Sequence, residues 1–122
     1  RRVNQLATPD TFAVIADSIA HNVVAGKLWA HLVLAMPDHL HALLAVPATE
    51  TLADVVRNWK RFVAKKAGVK WQDGFFDHRL RSNESFEEKA HYIRMNPVRA
   101  SLATQPEAWP YVWPAHAVAT AR

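Results

Sequence analysis

Cysteine is absent from the 122 residues. Disulfides and thiolate-bound zinc are therefore excluded, and a cytoplasmic setting is the simplest expectation. No apolar run is long enough for a transmembrane helix, and nothing at the start reads as a signal peptide, so no membrane association is expected. Glycine is scarce: its three residues, Gly26, Gly68 and Gly74, all fall at expected helix stops or turns. Tyrosine is scarcer still, with Tyr92 and Tyr111 only. No internal repeat or low-complexity tract divides the chain, so residues 1–122 read as one domain with room for a hydrophobic core.

Basic residues are scarce in the first half and concentrated in the second. Residues 1–56 carry three Lys/Arg against five Asp/Glu, whereas residues 57–99 carry eleven against five. A basic half of this kind points to a polyanion, most often nucleic acid; the plainer alternative is a solubilising surface.

Local signals give the elements. Thr8-Pro9-Asp10 starts a helix, Phe12, Ile15, Ile19 and Val23 recur at helical spacing, and Gly26 stops it. A strand over roughly 28–35, a turn at Met36-Pro37-Asp38 and a strand over 39–46 predict a hairpin. Thr51 caps a second helix whose buried stripe includes Leu52, Val55, Val56, Trp59, Phe62 and Val63, ending at Gly68. Asp73-Gly74 leads into a short strand over 75–80. Ser82 or Asn83 opens a third helix with Phe86, Ala90 and Ile93 inward, ending near Asn96 because Pro97 follows. The aromatic, proline-broken stretch from Trp109 to Pro114 reads as an irregular cover. With one strand in front, the order is that of an α+β, ferredoxin-like sandwich, an antiparallel sheet with helices packed on one face.

Three clusters carry chemistry. His39 and His41 stand two apart on an expected strand, so both imidazoles share a face while Leu40 turns to the core. This makes a metal pair, or a chance pair on a half-exposed strand. Tyr92 and Asn96 stand four apart, on one stripe if the helix persists. A phenol there can attack a phosphate and an amide oxygen can ligate a metal; equally, the Tyr packs at the core edge and the Asn ends a helix before Pro97. Arg57, Arg61 and Lys65 form a basic stripe with Lys60 and Lys66 beside it, a phosphate track or a solvated face.

Together these segments resemble a known family. The stretch Met36 to Leu44 (MPDHLHALL) is similar to the "MPxHxHLL" HUH motif of single-tyrosine transposases. Trp71 to Arg81 (WQDGFFDHRLR) and Tyr92 to Leu102 (YIRMNPVRASL) resemble two further blocks of the REP-associated tyrosine transposase family, the latter its "YIxxNPVRAGL" signature. The likeness spans roughly residues 10–113. It implies metal ligation by His39, His41 and Asn96, with Mg²⁺ or Mn²⁺ as the cofactor, and Tyr92 as nucleophile. Cleavage and strand transfer of single-stranded or hairpin DNA would then run through a 5′-phosphotyrosine. Arg57, Arg61 and Lys65 of the basic stripe are the expected DNA contacts, with Lys60, Arg81 and His78 as secondary candidates that could equally be structural, and the protein is expected to be a monomer or homodimer. Two departures stand out. Ser101 occupies the place of the family's Gly, and the family's opening strand has no match in residues 1–6; that strand is expected either upstream of Arg1 or lost. The competing readings are a domesticated protein that binds DNA hairpins without cutting, and a metal phosphodiesterase that uses water.

Overall fold

The structure, a computed structural model, describes residues 4–71, 76–77 and 86–114. Helix α1 runs Pro9–Val24 and helix α2 Leu52–Ala67. Both begin as capping chemistry requires. The Thr8 hydroxyl accepts from the Thr11 N–H, and the Thr51 hydroxyl from the Asp54 N–H. Between them lie β1, Trp29–Ala35, and β2, Leu40–Ala45, an antiparallel hairpin closed by the Met36 N–H to the His39 carbonyl at 2.8 Å. The expected strand over 39–46 thus starts one residue later, with His39 in the turn.

Three strands are antiparallel in the order β2–β1–β4, and β3, Phe76–Asp77, adds in parallel beside β2. Of the strand expected over 75–80 only these two residues are described; His78, Arg81 and the helix start at Ser82 or Asn83 lie outside. Strand β4, Val112–Trp113, corrects the expectation of an irregular tail. Two β-favouring residues between Pro110 and Pro114 pair with Val33 and Leu34. The prolines, unable to donate, confine the pairing to this short edge. Residues 4–7 form no strand. The N–H groups of Gln5 and Leu6 both meet the Pro37 carbonyl, and Leu6 is fully buried. The histidine strand is therefore flanked by β1 on one side and by the two residues of β3 on the other.

The result is an α+β sandwich with α1 and α2 on one face of the sheet. Ala30, Val33, Ala35, Leu40, Ala42 and Leu44 meet Phe12, Ile15, Ile19, Val55, Trp59 and Val63 there. The Trp59 indole N–H donates to the Ser18 hydroxyl, which itself donates to the Ile15 carbonyl, so the one buried polar side chain among the described residues is satisfied. The alternate residues Leu32, Leu34 and Leu43 turn to the other face. They pack with Ala90 and Ile93 of α3, Phe86–Arg94, and with Trp109 and Val112.

After α3 the chain turns at Met95 and restarts as α4, Asn96–Arg99. The helix break has a specific cause. Pro97 has no N–H for the Ile93 carbonyl, and the Asn96 side-chain Nδ2 donates to it instead at 3.1 Å. Helix α4 then closes with paired bonds, Ser101 N–H to the Val98 carbonyl and Leu102 N–H to the Pro97 carbonyl. This is a Schellman closure, which α1 also makes through Gly26 and Lys27. It demands left-handed backbone at one residue: Gly26 has φ 75°, Ser101 has φ 61°. A Cβ in that region costs about 1–2 kcal/mol. The loosening of the unfolded chain by glycine returns roughly 0.5–1 kcal/mol of that. Ser101→Gly is therefore expected to raise the melting temperature by a few degrees, measured by circular dichroism. A fall would show that the serine side chain supplies a compensating contact.

Candidate functional site

The hairpin turn and β2 place the two histidines. Leu40 and Ala42 are buried against α1 and α2, so alternation directs His41 to the opposite face, the one α3 covers. His39 joins it there: the two Nε2 atoms are 3.0 Å apart and the rings meet edge to face at 4.7 Å. Asp38 Oδ1 lies 2.8 Å from His39 Nδ1. A carboxylate only accepts, so it holds the His39 proton on Nδ1 and leaves the Nε2 lone pair outward. This carboxylate–imidazole contact is a feature the sequence reading missed. Its signal was an Asp immediately before the first His, read there only as a turn residue.

Two ligands at right angles around a cation at about 2.1 Å stand about 3.0 Å apart, the separation seen here, so the two Nε2 atoms fit one divalent ion. Among the described residues no group of three His, Asp or Glu side chains is placed to hold one.

Tyr92 lies on α3, 61% exposed, and Asn96 begins α4. Neither is hydrogen-bonded to the histidine pair. Both are instead held by Arg99. Its Nη2 donates to the Tyr92 carbonyl at 2.7 Å and to Asn96 Oδ1 at 2.9 Å, and its guanidinium carbon lies 4.0 Å from the Tyr92 ring centroid. The Asn96 amide is thus used at both ends, its oxygen keeping one further lone pair. Tyr111, the other tyrosine, is half-buried, edge-on to Phe12 and Trp109.

The expected DNA contacts divide. Arg57, Arg61 and Lys65 are exposed along α2, but α2 covers the sheet face away from the histidines. Arg57 also pairs with Asp54 at 2.8 Å; that guanidinium and the Thr51 hydroxyl hold the Asp54 carboxyl below its usual range. Lys60 is half-buried with its ammonium over the Trp71 ring. Arg81 lies outside the described residues. No helix among the described residues is long and apolar enough to cross a membrane.

The class these features define is an α+β sandwich carrying a paired-histidine strand on the face covered by a tyrosine-bearing helix. A solved structure shares the fold: a REP-associated tyrosine transposase bound to a REP hairpin. It is 22% identical, with a TM-score of 0.70 over 92% of this chain and 68% of that one. No protein-family model and no curated protein matches the chain.

The Asp38–His39 contact makes a direct prediction. Asp38→Asn keeps the shape but removes the charge that fixes the His39 tautomer. Mn²⁺ affinity, followed by the ion's effect on the melting temperature, is expected to fall about 10–100-fold. Unchanged affinity would make Asp38 a turn residue only.

Proposed function

We propose that this protein cuts and rejoins single-stranded or hairpin DNA with Tyr92 as the nucleophile. The observation that carries the reading is the converging His39–His41 pair on the sheet face against which the Tyr92 helix packs. The fold shared with a hairpin-bound transposase supports it.

His39 and His41 would hold a divalent cation, Mg²⁺ or Mn²⁺, through Nε2, with Asn96 Oδ1 as a third ligand. When bound, the cation polarises the scissile phosphate and offsets the charge it gathers. Asp38 keeps the His39 lone pair outward. Tyr92 Oη forms a bond to phosphorus while the P–O3′ bond breaks. The phenolic proton leaves and the departing 3′ oxygen takes up a proton. The products are a 5′-phosphotyrosine and a 3′-hydroxyl, and attack by another 3′-hydroxyl reverses the step as strand transfer. A phenol ordinarily keeps its proton at neutral pH, so this attack depends on the positive field around it. Arg57, Arg61 and Lys65, on the far face, would act on the same DNA through that field or on a distal arm.

One observation favours a second reading. Asn96 is engaged at both ends in joining α3 to α4, which suits a protein that binds hairpins without cutting. Incubation with a labelled hairpin library and Mn²⁺, followed by denaturing gels, decides between them. A covalent protein–DNA band is expected. Retarded DNA on native gels with no such band would leave the binding reading, and cut DNA with no adduct would point to water as nucleophile.

A further inference from the structure

Arg99 was not among the residues the sequence singled out, yet it is the most constrained exposed cation near Tyr92. Its Nη2 spends both hydrogens, on the Tyr92 carbonyl and on Asn96 Oδ1, and its plane lies over the Tyr92 ring. The donors on Nε and Nη1 have no hydrogen-bond partner among the described residues. The side chain is therefore oriented before any ligand arrives, and a guanidinium held this way gives up little freedom on binding. It opens onto a wide groove lined by Glu87, Glu88, His91, Tyr92, Met95 and Arg99. Two carboxylates at the start of α3 repel phosphate, and among the described residues Arg99 is the one permanent cation lining the groove. A phosphodiester entering it is attracted to the Arg99 side, next to the phenol.

From this geometry we infer that Arg99 binds the phosphate that Tyr92 attacks, holding it near the hydroxyl through its Nε and Nη1 donors while its stacked plane fixes the ring. The inference rests on the cleavage reading above and adds to it a phosphate-binding residue on the nucleophile's own helix–turn–helix unit. The guanidinium has two tasks here. It neutralises a phosphate charge, which lysine also does. It bridges Tyr92 to Asn96 through Nη2 while its plane stacks on the Tyr92 ring, a combination that the shorter, non-planar lysine head cannot reproduce.

The test uses the whole chain, a 3′-labelled DNA hairpin with random single-stranded flanks, so that the label stays with the 5′-phosphotyrosine adduct, and the variants Arg99→Gln and Arg99→Lys, their folding checked by circular dichroism. Two quantities are read: the slope of log affinity against log salt, and the rate of covalent adduct formation at saturating DNA. Arg99→Gln is expected to flatten the slope by about one, the loss of one phosphate contact, and to slow the adduct about 100-fold. Arg99→Lys is expected to keep the slope and lose most of the rate. An unchanged slope with a slower rate would overturn the phosphate contact and leave Arg99 a support for Tyr92. A flatter slope with an unchanged rate would place the contact away from the chemistry and overturn the inference equally. A flatter slope in Arg99→Gln with no adduct from any variant would sink the cleavage reading but keep the phosphate contact. No hairpin binding by the unaltered chain would remove both.

Discussion

Tyr92→Phe is expected to abolish the covalent DNA adduct and cleavage, by at least about 10⁴-fold, while hairpin binding survives. The ring, its place under Arg99 and the α3 backbone are all retained; only the hydroxyl is lost. At 61% exposure the Tyr92 side chain contributes little to the core, so the fold should be undisturbed. Tyr111 is the internal control, because its ring packs on Phe12 and Trp109. Tyr111→Phe keeps that packing and should keep both activities. Adduct formation by Tyr92→Phe, read on denaturing gels, would remove the central residue of the mechanism.

The second large effect is expected at the histidines. In His39→Ala or His41→Ala, one of two converging imidazoles is gone, and a single imidazole holds a divalent ion weakly. Cleavage should fall about 10³-fold or more, consistent with losing several kcal/mol of charge stabilisation. A chelator should reduce the unaltered chain to the same level, and added Mn²⁺ should restore it but neither variant. Because binding is measurable without chemistry, the rise in melting temperature with Mn²⁺ should vanish in both variants. If either variant cuts as well as the unaltered chain, the pair is only a packed edge-to-face contact.

What the sequence revealed, and what it hid, follows from the range of the forces involved. Helices α1 and α2 were legible because their signals are local: Thr8 with Pro9, Thr51, Gly26 and Gly68 each act within a few residues. The hairpin was legible from Met36-Pro37-Asp38 between two apolar runs. Strand β4 was not, since two residues become a strand only when Val33 and Leu34 offer a ladder. The basic stripe on α2 was visible as a spacing, but spacing cannot say on which side of the sheet a helix will lie. Arg99 escaped notice because its partners are a backbone carbonyl, an amide and a ring brought together by the break at Pro97. Asn96, chosen from the sequence as a metal ligand, turns out to have a structural task as well, replacing the N–H that proline lacks.

The alternation along β2 ties chemistry to folding in a way that protects both. Leu40 and Ala42 belong to one core, and His39 and His41 to the opposite face. Sliding β2 by a single residue against β1 would exchange the two sets. Imidazoles would be driven among Phe12, Ile15 and Trp59, at a cost of about 2 kcal/mol or more for each polar ring left unpaired, and leucine would stand where the nitrogens converge. The slipped register is therefore too costly to populate. The hydrophobic core thus acts as a proofreader for the imidazole pair, setting the distance between two nitrogens through the burial of residues that never touch a ligand.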